Sequence, residues 1–372
     1  MAAMSQPLSI LHVLPRFAPE DADGWSRRVV RLIDAFAARA RHTIAAEEHD
    51  PLPAGVRATI AQDPPPLAGG VSVARYERIA RAMRGHDLVL SYGAGAIDAV
   101  MARRAFARDT PPIIHHEDPC AGEPLGARLY RRIALPAAAG LVVTGDAAAR
   151  IAVTRWKVPV AHVQVIPDGV ELSGQGGGPD PKLIASFRRT ARETVIGIVA
   201  DLSGRDNVAL LVRAVAGLAG RFRLVVVGDG PARADIERAA LAMGIDDRLV
   251  LPGAVAPPSR YLGGFDLLLL PMTLGAPPIV VEAMAAGLPV VALDGSAAAA
   301  MLSPDNHACL AAHAGEVQVR DAIQVLAVDA ALRARIGAAN RYRAAAGHDA
   351  ATMIERSARL YADAAGRPGS LG

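Results

Sequence analysis

Two hydrophobic spacings alternate along the chain. Ser9-Ile10-Leu11-His12-Val13-Leu14 is a nearly continuous apolar run, the mark of a strand buried on both faces. A loop with Pro15, Pro19 and Gly24 follows, and residues 27–40 then carry Val29, Val30, Ile33, Phe36 and Ala37 at the helical period. Strand-like runs recur at residues 87–92, 112–116, 140–144 and 163–167, with Gly93-Ala94-Gly95-Ala96 leading into a helix that ends near Ala105. After the glycine-rich stretch Ser173-Gly174-Gln175-Gly176-Gly177-Gly178-Pro179 the alternation restarts, with strands expected at 195–199, 223–228, 249–252, 266–270 and 289–292. Helices are expected at 208–218 and 232–243, and a tail helix over 350–365 carries Met353, Ile354, Ser357, Leu360 and Tyr361 on one face.

Strands alternating with helices imply parallel sheets covered on both faces. The pattern predicts an α/β chain of two Rossmann-like domains, with ligand bound in an interdomain cleft facing the carboxyl ends of the strands. The expected division is 1–172, a linker at 173–190, a second domain at 191–348 and a tail at 349–372 that crosses back to the first domain.

Composition narrows the function. The 372 residues suffice for two domains, and 52% are hydrophobic but only 4% aromatic, which leaves few rings for stacking bases. Net charge is only +3, which argues against nucleic acid as a partner. Cys120 and Cys309 stand far apart, in no metal-ligand spacing, as expected in a reducing compartment. Residues 1–15 lack the basic start of a signal peptide, and no apolar run approaches the ~20 residues of a membrane span. These features lead to the expectation of a cytoplasmic protein, with peripheral contact at the inner membrane face as the alternative.

Four segments, in order, resemble the family-4 glycosyltransferases of the GT-B fold. They are Ile10-Leu11-His12-Val13-Leu14-Pro15 with its loop to Gly24, Val165-Ile166-Pro167-Asp168-Gly169-Val170, Val225-Val226-Val227-Gly228-Asp229-Gly230-Pro231, and Glu282-Ala283-Met284-Ala285-Ala286-Gly287-Leu288-Pro289-Val290-Val291-Ala292. The resemblance covers nearly the whole chain. It implies transfer of a sugar from a nucleotide diphosphate donor to a glycan or lipid-linked acceptor, with retention of configuration and without a metal or other cofactor. It also implies that Glu282 binds the donor nucleotide, since a carboxylate accepts hydrogen bonds from both ribose hydroxyls. Gly24, Gly230 and Gly295 would let backbone approach the diphosphate, where helix N-termini offer free N–H groups.

The departures from the family pattern concentrate at the donor phosphates. Leu274 stands where the family has its other glutamate, and Asp201 and Asp206 stand where it has arginine and lysine. Each close like-charge contact with a diphosphate costs ~1–4 kcal/mol, so transfer with ordinary nucleotide sugars is expected to be weak unless Arg205 compensates. Three readings stay open: a compensated enzyme, a catalytically impaired homologue acting as a binding or partner protein, or a site for other chemistry.

His115-His116-Glu117-Asp118 ends the third strand at the ligand edge. Alternation sends His115 and Glu117 to one side and His116 and Asp118 to the other, and His116 with Asp118 are the expected catalytic pair. A metal at these residues lacks a third ligand. Asp21-Ala22-Asp23 has the spelling of a metal-binding motif but falls in the wrong loop. Arg75, Arg78, Arg81 and Arg84 form a spaced row on a helix, read as a solvated face, with anionic lipid as the alternative partner.

Overall fold

The computed structural model describes residues 6–19, 24–118, 123–170, 179–203, 207–273 and 279–372. By packing, Met1–Gly169 together with Ala350–Gly372 form one unit, and Val170–Asp349 form another.

In the first unit the order is β1 (Leu8–Phe17), α1 (Gly24–Phe36), β2 (Ala40–His49), β3 (Ala58–Ile60), α2 (Val73–Met83), β4 (Leu88–Tyr92), α3 (Ile97–Ala105), β5 (Ile113–His116), α4 (Leu125–Ala134), β6 (Gly140–Val143), α5 (Asp146–Thr154) and β7 (Val163–Val165). The seven strands form a parallel sheet in the order β3-β2-β1-β4-β5-β6-β7. Chain direction across the sheet reverses between β1 and β4, and the carboxyl ends of those strands are where such sheets bind ligands.

In the second unit come α6 (Pro181–Ser186), β8 (Thr194–Val199), α7 (Val208–Ala216), β9 (Phe222–Val227), α8 (Arg233–Ala242), β10 (Leu249–Gly253), β11 (Leu267–Leu269), α9 (Ile279–Ala286), β12 (Val290–Val291), α10 (Ala297–Met301), α11 (Glu316–Val328) and α12 (Ala330–Gly347). Its parallel sheet runs β10-β9-β8-β11-β12, with the reversal between β8 and β11. The tail helix α13 (Ala350–Ala364) packs with the first unit, burying Met353, Tyr361 and Ala362 against the cluster that holds Ile10, Val29 and Ile33.

Residues 180–186, read from sequence as linker, are structured as part of the second unit. Asp180 caps α6, its Oδ1 accepting from the N–H groups of Lys182 and Leu183 at 3.1 Å, and its Oδ2 pairs with Arg260 at 2.7 Å. The glycine-rich residues 173–178 lie outside the described residues. The helix expected to continue to Ala40 stops at Phe36, and β2, absent from the sequence reading, begins at Ala40 and pairs with β1 from Leu8 to Phe17.

The outer edge of β12 is closed by two buried asparagines rather than by another strand. Asn306 Nδ2 donates to the Val290 carbonyl at 2.6 Å, and its Oδ1 accepts from the Val290 N–H at 2.9 Å. Asn340 Nδ2 donates to Asn306 Oδ1 and to the Leu288 carbonyl, each at 2.8 Å. Asn306→Leu would leave both Val290 groups buried and unpaired at ~1–3 kcal/mol each. We expect a loss of about 3 kcal/mol in urea unfolding; a loss below about 1 kcal/mol would show that the amide does not stand in for a strand.

Candidate functional site

The second unit presents three loops at the carboxyl edge of its sheet. After β8, the loop begins with Ala200 and Asp201, whose Oδ1 accepts from the Ser203 N–H at 2.9 Å. Leu202 (φ 48°) and Asn207 (φ 47°) flank residues 204–206; they are two of the three non-glycine residues with positive φ among the described residues. Such conformations cost free energy and tend to gather at functional sites. Asn207 occupies the position before α7 without a side-chain cap, so the first N–H groups of that helix receive no cap from it.

The loop after β9 is held against the first by two glycines. A Cβ on Gly228 (φ 138°) would lie 1.8 Å from the Ala200 carbonyl oxygen, and one on Gly230 (φ 154°) would lie 2.5 Å from that of Asp201. Only glycine permits this backbone approach at these angles. Asp229 Oδ1 accepts from the Gly230 N–H at 2.8 Å, and the Ala232 N–H donates to the Leu202 carbonyl at 2.9 Å. A cavity of about 130 Å³ opens between the starts of α7 and α8, lined by Leu202, Asn207, Val208, Ala232 and Asp235. The third loop, after β12, holds exposed Asp294 and Gly295 (φ 70°), with the Gly295 N–H bonded to Asp294 Oδ1 at 2.8 Å.

Glu282 lies in the first turn of α9, half-buried, on the helix that follows the switch-point strand β11. Among the described residues of the three loops there are acids at 201, 229 and 294 and no arginine or lysine. Arg205, Asp206 and Leu274 lie outside the described residues, as do Asp21, Asp23 and Cys120. Gly24 opens α1.

The first unit builds a different edge. His116 closes β5 and is fully buried. Its Nδ1 lies 3.2 Å from the Ser91 carbonyl, which can only accept, so Nδ1 donates. Burial, then the nearby Arg28 charge, push its pKa well down, so the ring is neutral and Nε2 accepts from the Tyr361 hydroxyl at 2.7 Å. Its ring stacks on Tyr92 at 4.5 Å. Asp118 turns elsewhere: it accepts from the Thr144 N–H and Oγ1, both at 2.8 Å. The expected pairing of His116 with Asp118 is therefore not formed. β5 ends at His116, and strand alternation no longer governs the side chains beyond it. Burial raises the Asp118 pKa against the pull of the Thr144 bonds, with Asp168 adding to the rise.

Arg28, Asp168, Thr144 and Tyr361 belong to this edge and were not singled out from sequence. Arg28 is buried on α1 and donates from Nη1 to Asp168 Oδ1 at 2.8 Å and to the Ile166 carbonyl at 3.2 Å. Burial opposes its charge, but Asp168, Tyr361 and Tyr92 together outweigh that and raise its pKa. Asp168 had a usable signal, since it sits inside Ile166-Pro167-Asp168-Gly169-Val170.

His115 and Glu117 do share a side, as alternation requires. Ser91 Oγ meets His115 Nδ1 at 2.8 Å, His115 Nε2 meets Glu117 Oε2 at 3.2 Å, and Arg131 donates to Glu117 Oε1 at 2.5 Å. The order serine, histidine, carboxylate looks like a hydrolytic triad. Ser91, His115 and Glu117 are all buried, however, and no substrate reaches the hydroxyl. Burial works against the Glu117 carboxylate, but hydrogen bonds from His115 and Arg131 hold its pKa below the ordinary value. The chain ties β4, β5 and α4 together. No group of three potential metal ligands occurs among the described residues.

Residues 193–329 match the sequence model of a family described as Glycosyl transferases group 1. EpsF of Bacillus subtilis, named as a glycosyltransferase, is 29% identical over 172 residues, a match covering 45% of this chain and 45% of EpsF. A 2-deoxystreptamine glucosyltransferase of Streptomyces kanamyceticus is 33% identical over 177 residues, covering 43% of this chain and 44% of that enzyme. The chain thus spans less than half the length of the curated relatives it matches. HepE of Anabaena, solved in complex with UDP, superposes with a TM-score of 0.76 at 18% identity over 96% of this chain and 100% of that one. The chain has the GT-B fold, and residues 193–329 of its second unit resemble the group 1 glycosyl transferases.

Proposed function

We propose that the chain transfers a sugar from a nucleotide diphosphate donor to a glycan or lipid-linked acceptor, with retention of configuration. The observation that carries this reading is the position of Glu282, in the first turn of the helix that follows the switch-point strand of the second unit. There its carboxylate accepts hydrogen bonds from the two ribose hydroxyls. The uncapped start of α7 supplies N–H donors for the diphosphate, and Gly228, Gly230 and Gly295 keep the neighbouring loops free of side chains that would block its approach. These preorganised dipoles stabilise charge on the leaving diphosphate as the bond to the sugar breaks. Uridine diphosphate is bound in the HepE crystal structure, which makes a uridine donor the first to test.

In the first unit Asp118 is the better placed of the two catalytic candidates. It is half-buried at the strand end and contacts the acceptor hydroxyl in this reading, whereas His116 reaches substrate only by releasing Tyr361. In this reading Arg205, outside the described residues, is the cation that the sequence offers to offset Asp201 and Asp294.

The test is a panel of nucleotide sugars, measured first for binding and then for donor hydrolysis and transfer. Turnover with one of them is the expected result; failure to bind any nucleotide diphosphate would sink the reading. A reversal series gauges the acidic loops. Asp201→Arg and Asp206→Lys together are expected to tighten donor binding about tenfold or more, since each close like-charge contact removed is worth ~1–4 kcal/mol. An unchanged affinity would mean that both acids point away from the diphosphate.

A further inference from the structure

The carboxyl edge of the first sheet carries a stack of aromatic rings that reaches solvent at Trp25. Trp25 is the second residue of α1, the helix that follows β1, so it stands where strand order reverses between β1 and β4. Its indole lies over the end of β4: a Cβ on Gly93 (φ 73°) would stand 3.5 Å from Trp25 Nε1. The Trp25 ring centre is 6.1 Å from that of Tyr92 and 6.3 Å from that of His116, and those two rings stack on each other at 4.5 Å. The Gly93 N–H, donating to the His116 carbonyl at 2.7 Å, ties the two strand ends together. Tyr92 and His116 are buried, whereas Trp25 keeps part of its surface in solvent. The other tryptophan, Trp156, is buried and donates its Nε1–H to Glu123 at 3.0 Å.

Two carboxylates belong to the same edge. Arg28, three residues and so about one turn along α1 from Trp25, holds Asp168 Oδ1 at 2.8 Å, yet the Asp168 side chain is 45% exposed. Asp118, two residues beyond His116, is half-buried and close enough to Asp168 to feel its charge. The Arg28 charge is buried and engaged, so a group arriving beside Trp25 meets an indole and carboxylate oxygens.

We propose that Trp25 is the stacking platform for the acceptor, and that the acceptor unit it receives is a pyranose ring rather than a bare phosphate. The C–H bonds of a hexose make one of its faces apolar. That face lies flat on an indole, a large rigid contact that costs little side-chain entropy. Hydroxyls at the rim of the sugar donate to Asp118 and Asp168, and hydrogen bonds to an ionised acceptor are the strong ones. A phosphate would be repelled by the same two acids. An aromatic surface with a few placed polar groups is the usual make-up of a small-ligand site. This inference rests on the sugar-transfer reading and specifies the acceptor within it.

The experiment titrates the full chain with methyl α- and β-glycosides of glucose, galactose, mannose and N-acetylglucosamine. Sorbitol, which has hydroxyls but no ring face, and glycerol 3-phosphate are the comparisons. At least one glycoside is expected to give a saturable change in tryptophan emission, and sorbitol and glycerol 3-phosphate none. Saturation-transfer NMR, which needs no tryptophan, then compares affinities for that glycoside. Trp25→Leu is expected to weaken binding about tenfold, and Trp25→Phe, which keeps a ring, by no more than about threefold. Thermal unfolding checks that each variant keeps its fold. Wild-type emission that answers to no glycoside, an equal response to glycerol 3-phosphate, or a folded leucine variant that binds as tightly as the phenylalanine one overturns the proposal. Nucleotide diphosphate binding, measured alongside, separates the two readings. If it persists while glycosides fail, only the platform is lost; if it fails as well, the sugar-transfer reading falls with it.

Discussion

Glu282→Ala, which removes two ribose hydrogen bonds, is expected to weaken uridine or guanosine diphosphate binding by about a hundredfold or more while leaving the fold in place. Hydrogen bonds to a charged group are worth ~1.5–3 kcal/mol each, and every ~1.4 kcal/mol is a factor of ten in affinity. The cost to the fold is small. A first-turn glutamate gains ~0.3–1 kcal/mol from the helix dipole, and α9 is anchored independently by Val280, Ala283 and Met284 in the core. Calorimetric titration, with thermal unfolding as the control, measures both effects. Glu282→Gln should fall between wild type and alanine, since it keeps one acceptor and loses the charge. Equal affinity in all three proteins would remove Glu282 from the nucleotide site and with it the main support for the proposed donor position.

Mild acid is expected to unfold the first unit selectively. His12, His42 and His116 are buried. Burial lowers the His42 pKa to about 4, and His12 and His116 are pushed well below the ordinary value, first by burial and then by neighbouring positive charge. His12 Nε2 and His42 Nδ1 meet at 3.0 Å, and protonating both rings would set N–H against N–H. The folded unit therefore binds fewer protons than the unfolded chain, whose histidines titrate near pH 6.5. Stability from these groups is complete above about pH 6.5 and is lost as pH falls from there toward the folded values. At about pH 5 His42 contributes a loss of about 2 kcal/mol, and His12 and His116 add losses of the same sign. Against a whole stability of ~5–15 kcal/mol for many domains, that is a large share. Asp118, whose pKa is raised, offsets part of this, because its protonation favours the fold. Scanning calorimetry from neutral to about pH 5 should show one transition dropping steeply while the other changes little. His42→Asn should flatten the pH dependence. A wild-type profile with no pH dependence across that range would contradict the burial of these rings.

Much of the architecture was legible without coordinates, for physical reasons. A strand in a parallel sheet is buried on both faces, so residues 9–14, 87–92, 112–116, 140–144 and 223–228 read as continuous apolar runs, and β1, β4, β5, β6 and β9 occur there. Turn chemistry was equally plain: Gly228 and Gly230 both take positive φ where backbone meets backbone. The helical spacing of the tail placed Met353 and Tyr361 on a single face, and both are buried.

Other features had no local signature. β2 holds only one branched aliphatic residue, Ile44, amid Arg41, His42, Glu47 and Glu48, and it becomes a strand because β1 offers it a long parallel edge. α11 and α12 are rich in alanine and arginine, with weak contrast between faces, and packing rather than periodicity defines them. The partner of a buried polar group cannot be inferred from spacing. His116 found Tyr361, 245 residues away, instead of Asp118 two residues on, because the strand ended and a distant helix filled the space above it. The row of arginines on α2 and the three on α4 look alike as a string of letters. Only the structure shows that Arg75 is drawn inward to Asp98 at 2.6 Å, while Arg81 and Arg84 pair with Glu77 and Asp109 at the surface. The sequence by itself determined where most of the buried strands and the turn glycines fall, because backbone and burial preferences act over a few residues. Tertiary structure decided which polar groups meet and which remain open to a ligand, because that depends on what the rest of the chain brings alongside.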